Sequence, residues 1–145
     1  NNNNSNNNSN NVHNNNDSKG NVAVSAEVFS LRPAGNARWR APEITRREPY
    51  CHLVDIYSFG IVLCEIMMQQ PPFHDVERSR DAAQMAAKGM RPSLRQDVDS
   101  EVRRLIERCW ADNPDERPAG FGIIMSELLE ITKRAVSKHQ NNENK

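Results

Sequence analysis

Few side chains in this 145-residue sequence are arranged for chemistry. The three cysteines, Cys51, Cys64 and Cys109, are far apart and show neither a CxxC motif nor the Cys/His spacing of a metal site. His52 and His74 have no carboxylate or cysteine at a catalytic or ligand spacing. We therefore predict no catalytic residue and no metal site within this chain, and the unpaired cysteines favour a reducing, cytoplasmic location.

One carboxylate stands in an unusual setting. Asp55 falls in the first turn of VDIYSFGIVLCEIMM (54–68), a segment that is apolar on nearly every face. An ionised carboxylate is costly there unless it is hydrogen-bonded, and the plainer alternative is an acid that caps its own helix. Fifteen residues are too few to span a bilayer, so the segment predicts a helix buried on all sides.

Shorter helices are predicted on both sides of this central one. Pro42 suits the first turn of a helix of one or two turns that ends at about Arg47. An alanine-rich segment, DAAQMAAK, reads as a helix capped by Ser79 or Asp81 and stopped by Gly89 in a left-handed conformation.

Two amphipathic helices close the fold, each with apolar residues at helical spacing. Ser100 and Glu101 signal the start of the first helix. The predicted buried face of the first is Val102, Leu105, Ile106 and Cys109, and that of the second is Phe121, Ile124, Met125, Leu128 and Leu129.

The two ends of the chain are polar. Twelve of the first sixteen residues are Asn, so residues 1–21 are predicted to be disordered because they cannot bury enough apolar surface. Residues 22–34 read as a connecting loop, and residues 138–145 as a polar tail that frays. The formal net charge is zero, which gives no indication of nucleic acid or a membrane surface as a partner.

Four segments carry a more specific pattern: GNARWRAPE (35–43), DIYSFGIVLCEI (55–66), PPF (71–73) and RCWADNPDERP (108–118). In this order and spacing they resemble the C-lobe of eukaryotic protein kinases, most like the tyrosine-kinase-like serine/threonine group. The resemblance implies an all-α fold as given, the helical C-lobe of a larger α+β domain. Residues 35–137 would be that partial domain, and residues 22–34 the end of its activation segment.

The resemblance also implies two structural roles. Glu43 and Arg117 match a carboxylate and a guanidinium that form an ion pair in the family, tying the end of the activation segment to the lobe. The alternative is two unrelated surface charges. Asp55 matches an aspartate that accepts backbone N–H groups of the catalytic loop, which is not part of this sequence.

A substrate-binding role is implied for Gly35, Asn36, Ala37, Arg38 and Trp39. In kinases the matching residues shape the groove for the substrate residue just past the phosphoacceptor. Two positions depart from the family pattern. Asn36 stands where serine/threonine kinases usually carry Thr, and Arg40 where an apolar residue is usual.

The motifs that bind ATP and perform phosphoryl transfer are not in this sequence: the glycine-rich loop, the strand lysine, the catalytic loop and Asp-Phe-Gly. The resemblance therefore implies ATP and Mg²⁺ in the full-length parent and no cofactor bound by this chain, which alone should be inactive. The expected partners are a protein substrate and the N-lobe and catalytic loop of the parent domain. A pseudokinase or scaffold lobe that acts as an interaction module is the alternative function.

Overall fold

A computed structural model describes residues 36–143. The expectations for residues 1–21 and 22–34, and the role assigned to Gly35, lie outside the described residues. Within that range the chain is helical and contains no strand, as the sequence predicts. The α-helices are α1 Pro42–Arg46, α2 Leu53–Met68, α3 Ser79–Ala87, α4 Ser100–Cys109 and α5 Phe121–Glu143, and the 3₁₀ turns are η1 Ala37–Trp39 and η2 Pro114–Glu116.

Helix α2 is the centre of the packing, with bounds within one residue of those predicted. Its apolar residues serve two clusters because they point to different sides of the helix. Tyr57, Ile61 and Cys64 pack with Ala41, Ile106 and Trp110, while Ile56 packs with Leu105, Cys109 and Ile124. Trp110 is thus a core aromatic, 7% exposed.

One face of α2 is not covered by the described residues. Asp55 is exposed, Val62 is 39% exposed and Ile66 is 63% exposed. These positions, together with the half-buried Phe59, follow the 55, 59, 62, 66 spacing of a single helical stripe. The prediction that α2 is buried on all sides is therefore wrong at Asp55, Val62 and Ile66, whereas Phe59 packs edge-to-face on Phe121 of α5.

Helix α4 lies close against α2. The approach depends on Gly60, where an added Cβ would lie 2.7 Å from the Cβ of Cys109. The N-terminus of α4 is capped by Asp99, whose carboxylate accepts from the backbone N–H of Glu101 at 2.8 Å. The sequence pointed to Ser100 and Glu101 instead, which form the first turn rather than the cap.

Helix α5 packs on α4 and α2 through a narrow stripe. Ile124 is 1% exposed, and Leu128 and Ile131 are partly buried beside it. The wider predicted face is wrong at Met125 and Leu129, which are 69% and 56% exposed, whereas Phe121, 44% exposed, packs edge-to-face on Phe59 of α2. The helix also continues to Glu143, so the predicted frayed tail is helical from residue 138 to residue 143.

Helix α3 ends as the sequence predicts. Gly89 has a φ of +87°, and the backbone N–H groups of Gly89 and Met90 donate to the carbonyls of Ala86 and Met85, both at 3.0 Å. These two bonds form a Schellman motif. Its N-terminus differs from the prediction, because Arg78 occupies the N-cap and no side chain caps the helix there.

No helix among residues 36–143 is both long enough and apolar enough to cross a membrane.

Candidate functional site

The structure contains the ion pair that the sequence predicts. Two terminal nitrogens of Arg117 donate to the two carboxylate oxygens of Glu43, at 2.7 and 3.0 Å. Both side chains are buried, at 0% and 4% exposure. The planar, two-bond geometry is the arrangement in which a guanidinium binds a carboxylate most strongly.

Every N–H of the Arg117 guanidinium has an acceptor. Besides Glu43, the group donates to the carbonyls of Leu53 at 3.0 Å, Ala111 at 2.9 Å and Asp112 at 3.3 Å. Five bonds therefore satisfy a charge that would otherwise be costly to bury. Through them the first turn of α1, the start of α2 and the loop after α4 are joined at one point.

Tyr57 lies between two guanidinium groups. The centre of its ring is 5.1 Å from the guanidinium carbon of Arg117 and 5.2 Å from that of Arg91, within the range of a cation–π contact. Its hydroxyl is buried and has no hydrogen-bond partner. Burial raises the pKa of Tyr57 to about 12, against the opposing effect of the two cations.

A second charged group ties α1 to α3 and to the loop after α4. The carboxylate of Asp112 accepts from Arg46 at 3.2 Å and from Arg91 at 3.3 Å. Partial burial raises the pKa of Asp112, but the two guanidinium groups outweigh that effect and hold it below its usual value. Arg46 also donates to the carbonyl of Ala87 at the end of α3, at 3.1 Å.

The described residues assigned to the substrate groove, Asn36 to Trp39, lie in a short loop, residues 36–40, that is fixed to α2. The side chain of Asn36 accepts from the backbone N–H of Arg38 at 3.3 Å and so caps η1. The indole N–H of Trp39 donates to Glu65 at 2.8 Å, and the hydroxyl of Ser58 donates to the carbonyl of Trp39 at 2.9 Å. The loop is thus held by α2 on two sides of Trp39.

Arg38 supports this loop from the opposite direction. Its guanidinium donates to four backbone carbonyls in the turn before α3, namely those of Pro72 at 3.1 Å, Phe73 at 2.6 Å, Glu77 at 3.1 Å and Val76. Both terminal nitrogens are occupied by these bonds. The observed contacts of this side chain are therefore with the scaffold, which is a supporting role that the sequence did not suggest.

Asp55 lies in the first turn of α2, as predicted, but it is exposed rather than within a helix buried on all sides. Its carboxylate is exposed and has no hydrogen-bond partner among residues 36–143. It is not the helix cap, since His52 occupies that position without a side-chain bond. The Asp55 carboxylate therefore faces solvent on the exposed stripe of α2, where it can accept hydrogen bonds from a segment outside residues 36–143.

The described residues do not fit a metal. No group of three or more His, Cys, Asp or Glu side chains among residues 36–143 is close enough to hold an ion. Phosphoryl transfer with Mg²⁺ needs carboxylate ligands at the metal. Residues 36–143 therefore supply no such cluster of carboxylate ligands.

The Glu43–Arg117 ion pair, the fixed 36–40 loop and the central α2 all lie within one region that matches a known family. The family described as protein tyrosine and serine/threonine kinase matches residues 30–128. This chain belongs to the protein kinase family. The match covers the described site and all of α1 to α4, so this part of the kinase domain is its helical C-lobe.

Individual relatives agree with this assignment. The kinase chain is 41% identical to dual specificity protein kinase pyk3 of Dictyostelium discoideum, over 78% of its own length and 8% of the relative's. It is 40% identical to serine/threonine/tyrosine-protein kinase HT1 of Arabidopsis thaliana, over 62% of its length and 23% of the relative's. Serine/threonine-protein kinase CTR1 of the same plant is 35% identical over 79% of the chain and 14% of the relative. The chain thus spans less than a quarter of these curated relatives, and their names do not favour the pseudokinase alternative.

The sequence does not indicate several residues of this kinase lobe. It predicts no role for Glu65, Arg91 or Asp112, and it indicates Tyr57 only as part of an apolar helix. The position of Glu65 within an apolar segment was a usable signal, because a partly buried carboxylate requires a donor. The Arg91–Asp112 contact had no such signal, since its partners come from separate loops.

Proposed function

We propose that this chain forms the wall of the protein-substrate groove in a protein serine/threonine kinase. The full domain would transfer the γ-phosphoryl group of ATP to Ser or Thr hydroxyls of protein substrates. Family membership supports the phosphoryl-transfer chemistry. Serine/threonine specificity is supported by the likeness to CTR1, whereas the names of pyk3 and HT1 make tyrosine the alternative acceptor.

The observation that carries the proposal is the rigid support of the 36–40 loop. Trp39 is bonded to α2 at both its indole and its carbonyl, and Arg38 is bonded to four carbonyls of the turn before α3. A groove that positions a peptide hydroxyl for in-line transfer needs such a fixed wall, because misplacement by about 1 Å can reduce a rate about 100-fold. A merely connecting loop would not need these bonds.

The remaining parts of the reaction are assigned to residues outside this sequence. ATP and Mg²⁺ would be held by the N-lobe and the catalytic loop, and the exposed Asp55 would accept backbone N–H groups of that loop. The chain by itself is expected to bind no ATP and to transfer no phosphoryl group. A cytoplasmic location is part of the same proposal.

The test is a phosphoryl-transfer assay on the full kinase domain of the parent protein. Three peptides that differ only in a Ser, Thr or Tyr acceptor would be compared at equal concentration, and kcat/KM measured for each. We expect transfer to Ser and Thr at least tenfold faster than to Tyr. A preference for Tyr would overturn the assigned specificity, and no ATP-dependent transfer to any of the three would favour the scaffold function.

A further inference from the structure

A cavity lies directly beside the turn that holds Arg38. Its volume is about 270 Å³; it is partly open to solvent and is bordered by the end of α2, the turn of residues 70–75, α3 and residues 90–93. For scale, an apolar cavity of about 150 Å³ is large enough to bind benzene. The volume therefore suits one large side chain better than a nucleotide or cofactor, whose pockets measure about 300–1,000 Å³. Its main apolar lining residues are Met68, Phe73, Met85 and Met90, with Pro71 and Pro72.

The chemistry of this lining suits an adaptable peptide contact. Three of the apolar residues are methionines, whose flexible side chains adjust to differently shaped partners. Met90 is 42% exposed at the mouth of the cavity. A Leu, Met or Phe side chain entering there would remove both its own surface and that of Met90 from water.

The mouth of the cavity also carries a negative charge that has no ion-pair partner among the described residues. Asp75 lines the cavity, is exposed, and has no hydrogen-bond or ion-pair partner among the described residues. Arg91 also lines the cavity, but it donates to the carbonyls of Trp110, Ala86 and Met90 and to Asp112. The charge that is free to attract a ligand is therefore acidic, which favours a basic group beside the apolar one.

The turn that borders the cavity is hydrogen-bonded to the 36–40 loop. The carbonyls of Pro72 and Phe73 accept hydrogen bonds from Arg38 of that loop, and both residues line the cavity. Phe73 has a φ of +52°, an unusual conformation for a bulky residue, and the residue is buried against Ala82 and Ala86 of α3. A ligand that moves this ring would therefore act on the turn to which Arg38 is bonded.

We propose that this cavity is a docking subsite for the protein substrate, separate from the groove that receives the phosphoacceptor. It takes one Leu, Met or Phe side chain of the substrate, and Asp75 pairs with a Lys or Arg next to that side chain. Occupancy is transmitted to the 36–40 loop through the bonds of Arg38. The identity of the partner as a substrate rests on the proposed function, whereas binding of the peptide does not.

The test measures peptide binding to the whole 145-residue chain by fluorescence anisotropy, without ATP. The probe is a fluorescein-labelled hexapeptide with a lysine–leucine pair at its centre and glycine elsewhere. Replacing its leucine by alanine should weaken binding at least tenfold, and replacing its lysine by glutamate should weaken it about fivefold. Asp75→Asn should abolish the preference for lysine over glutamate, while the exposed matched control Asp115→Asn should keep it.

Two further variants locate the site. Ser93→Phe fills the cavity from its exposed rim, and Met90→Lys places a positive charge at its mouth that repels the lysine of the peptide. Each substitution should weaken binding at least tenfold. Hydrogen exchange at the Trp39 backbone amide should slow when the peptide saturates the chain. In Arg38→Lys, peptide binding should leave that exchange rate unchanged.

Absence of saturable binding, or unchanged binding in both cavity variants, would overturn the docking subsite. Unchanged exchange at Trp39 in the saturated wild type would overturn the coupling to the loop. Because no phosphoryl transfer is measured, these results are independent of the kinase assay.

Discussion

Glu43 and Arg117 are separated by 74 residues in sequence, yet they share two hydrogen bonds of 2.7 and 3.0 Å in a site that excludes water. Taking both charges out of water is costly, and the pair is stable because every donor of Arg117 also has an acceptor. These bonds hold the first turn of α1, which follows the 36–40 loop, in a fixed position relative to the start of α2.

Breaking this pair should destabilise the lobe strongly. We expect Glu43→Ala to cost about 3–5 kcal/mol of unfolding free energy, because it leaves a buried guanidinium without its counter-charge. Arg117→Ala should cost at least as much, since three backbone carbonyls lose their donor as well. Urea unfolding of the single variants and of the double variant gives the coupling directly.

In that cycle the double variant should lose little more than Arg117→Ala alone. Additive losses would show that the two side chains do not stabilise one another. The exposed Arg78–Asp81 pair is the matched control, and its removal should cost less than about 1 kcal/mol.

Close packing of α2 on α4 gives a second prediction. Gly60→Ala should cost about 1–3 kcal/mol, because the new methyl group would lie 2.7 Å from the Cβ of Cys109 and force the helices apart. Gly122→Ala is the matched control on α5, where an added Cβ meets nothing within 4 Å. It should be neutral or stabilise by up to about 1 kcal/mol. Equal effects of the two substitutions on the melting temperature would contradict the packing described here.

These contacts show what the sequence could and could not predict. The bounds of α2 followed from its apolar run, and the Glu43–Arg117 pair followed from the family resemblance. The bonds of Arg38 could not be predicted, because its acceptors are backbone carbonyls whose position depends on the whole turn before α3. The same holds for Gly60, whose role appears only when α4 is in place.

The buried hydroxyl of Tyr57 gives a third prediction. Tyr57→Phe should change stability by less than about 1 kcal/mol, or increase it, because the hydroxyl has no partner to lose and the ring still faces both guanidinium groups. Tyr57→Ala should instead cost about 3–5 kcal/mol through the cavity that it leaves. A large loss in Tyr57→Phe, measured by urea unfolding, would show that the hydroxyl makes a hydrogen bond in solution.

Alkaline pH should destabilise the lobe through its buried thiols. Burial raises the pKa of Cys64 and of Cys109 from 9.0 to about 11. Between these values the unfolded chain releases protons that the folded chain keeps, so stability is full below pH 9 and falls as the pH rises to about 11. Unfolding free energies measured across this range should decline less steeply in Cys64→Ala or Cys109→Ala. The exposed Cys51 provides the control, because Cys51→Ala should keep the wild-type slope. A slope that none of the three substitutions alters would refute this explanation.

Helix α5 shows a different limit of sequence reasoning. Its predicted face was too wide because Met125 and Leu129 are apolar, yet they lie beside the buried stripe of Ile124, Leu128 and Ile131 rather than on it. Periodicity identifies the side of a helix but not how much of that side a neighbour covers. The exposed stripe of α2 is a similar case, since the sequence cannot show which part of a larger domain would cover it.

The proposed function requires the 36–40 loop to line the groove for the substrate residue just past the phosphoacceptor. The most direct test uses the full kinase domain of the parent and a substrate peptide with a photoreactive phenylalanine at that position, followed by mass spectrometry of the cross-linked product. We predict adducts on residues 36–40, and their loss when unlabelled substrate competes. Competed adducts that fall only outside these residues would show that the 36–40 loop does not line this groove.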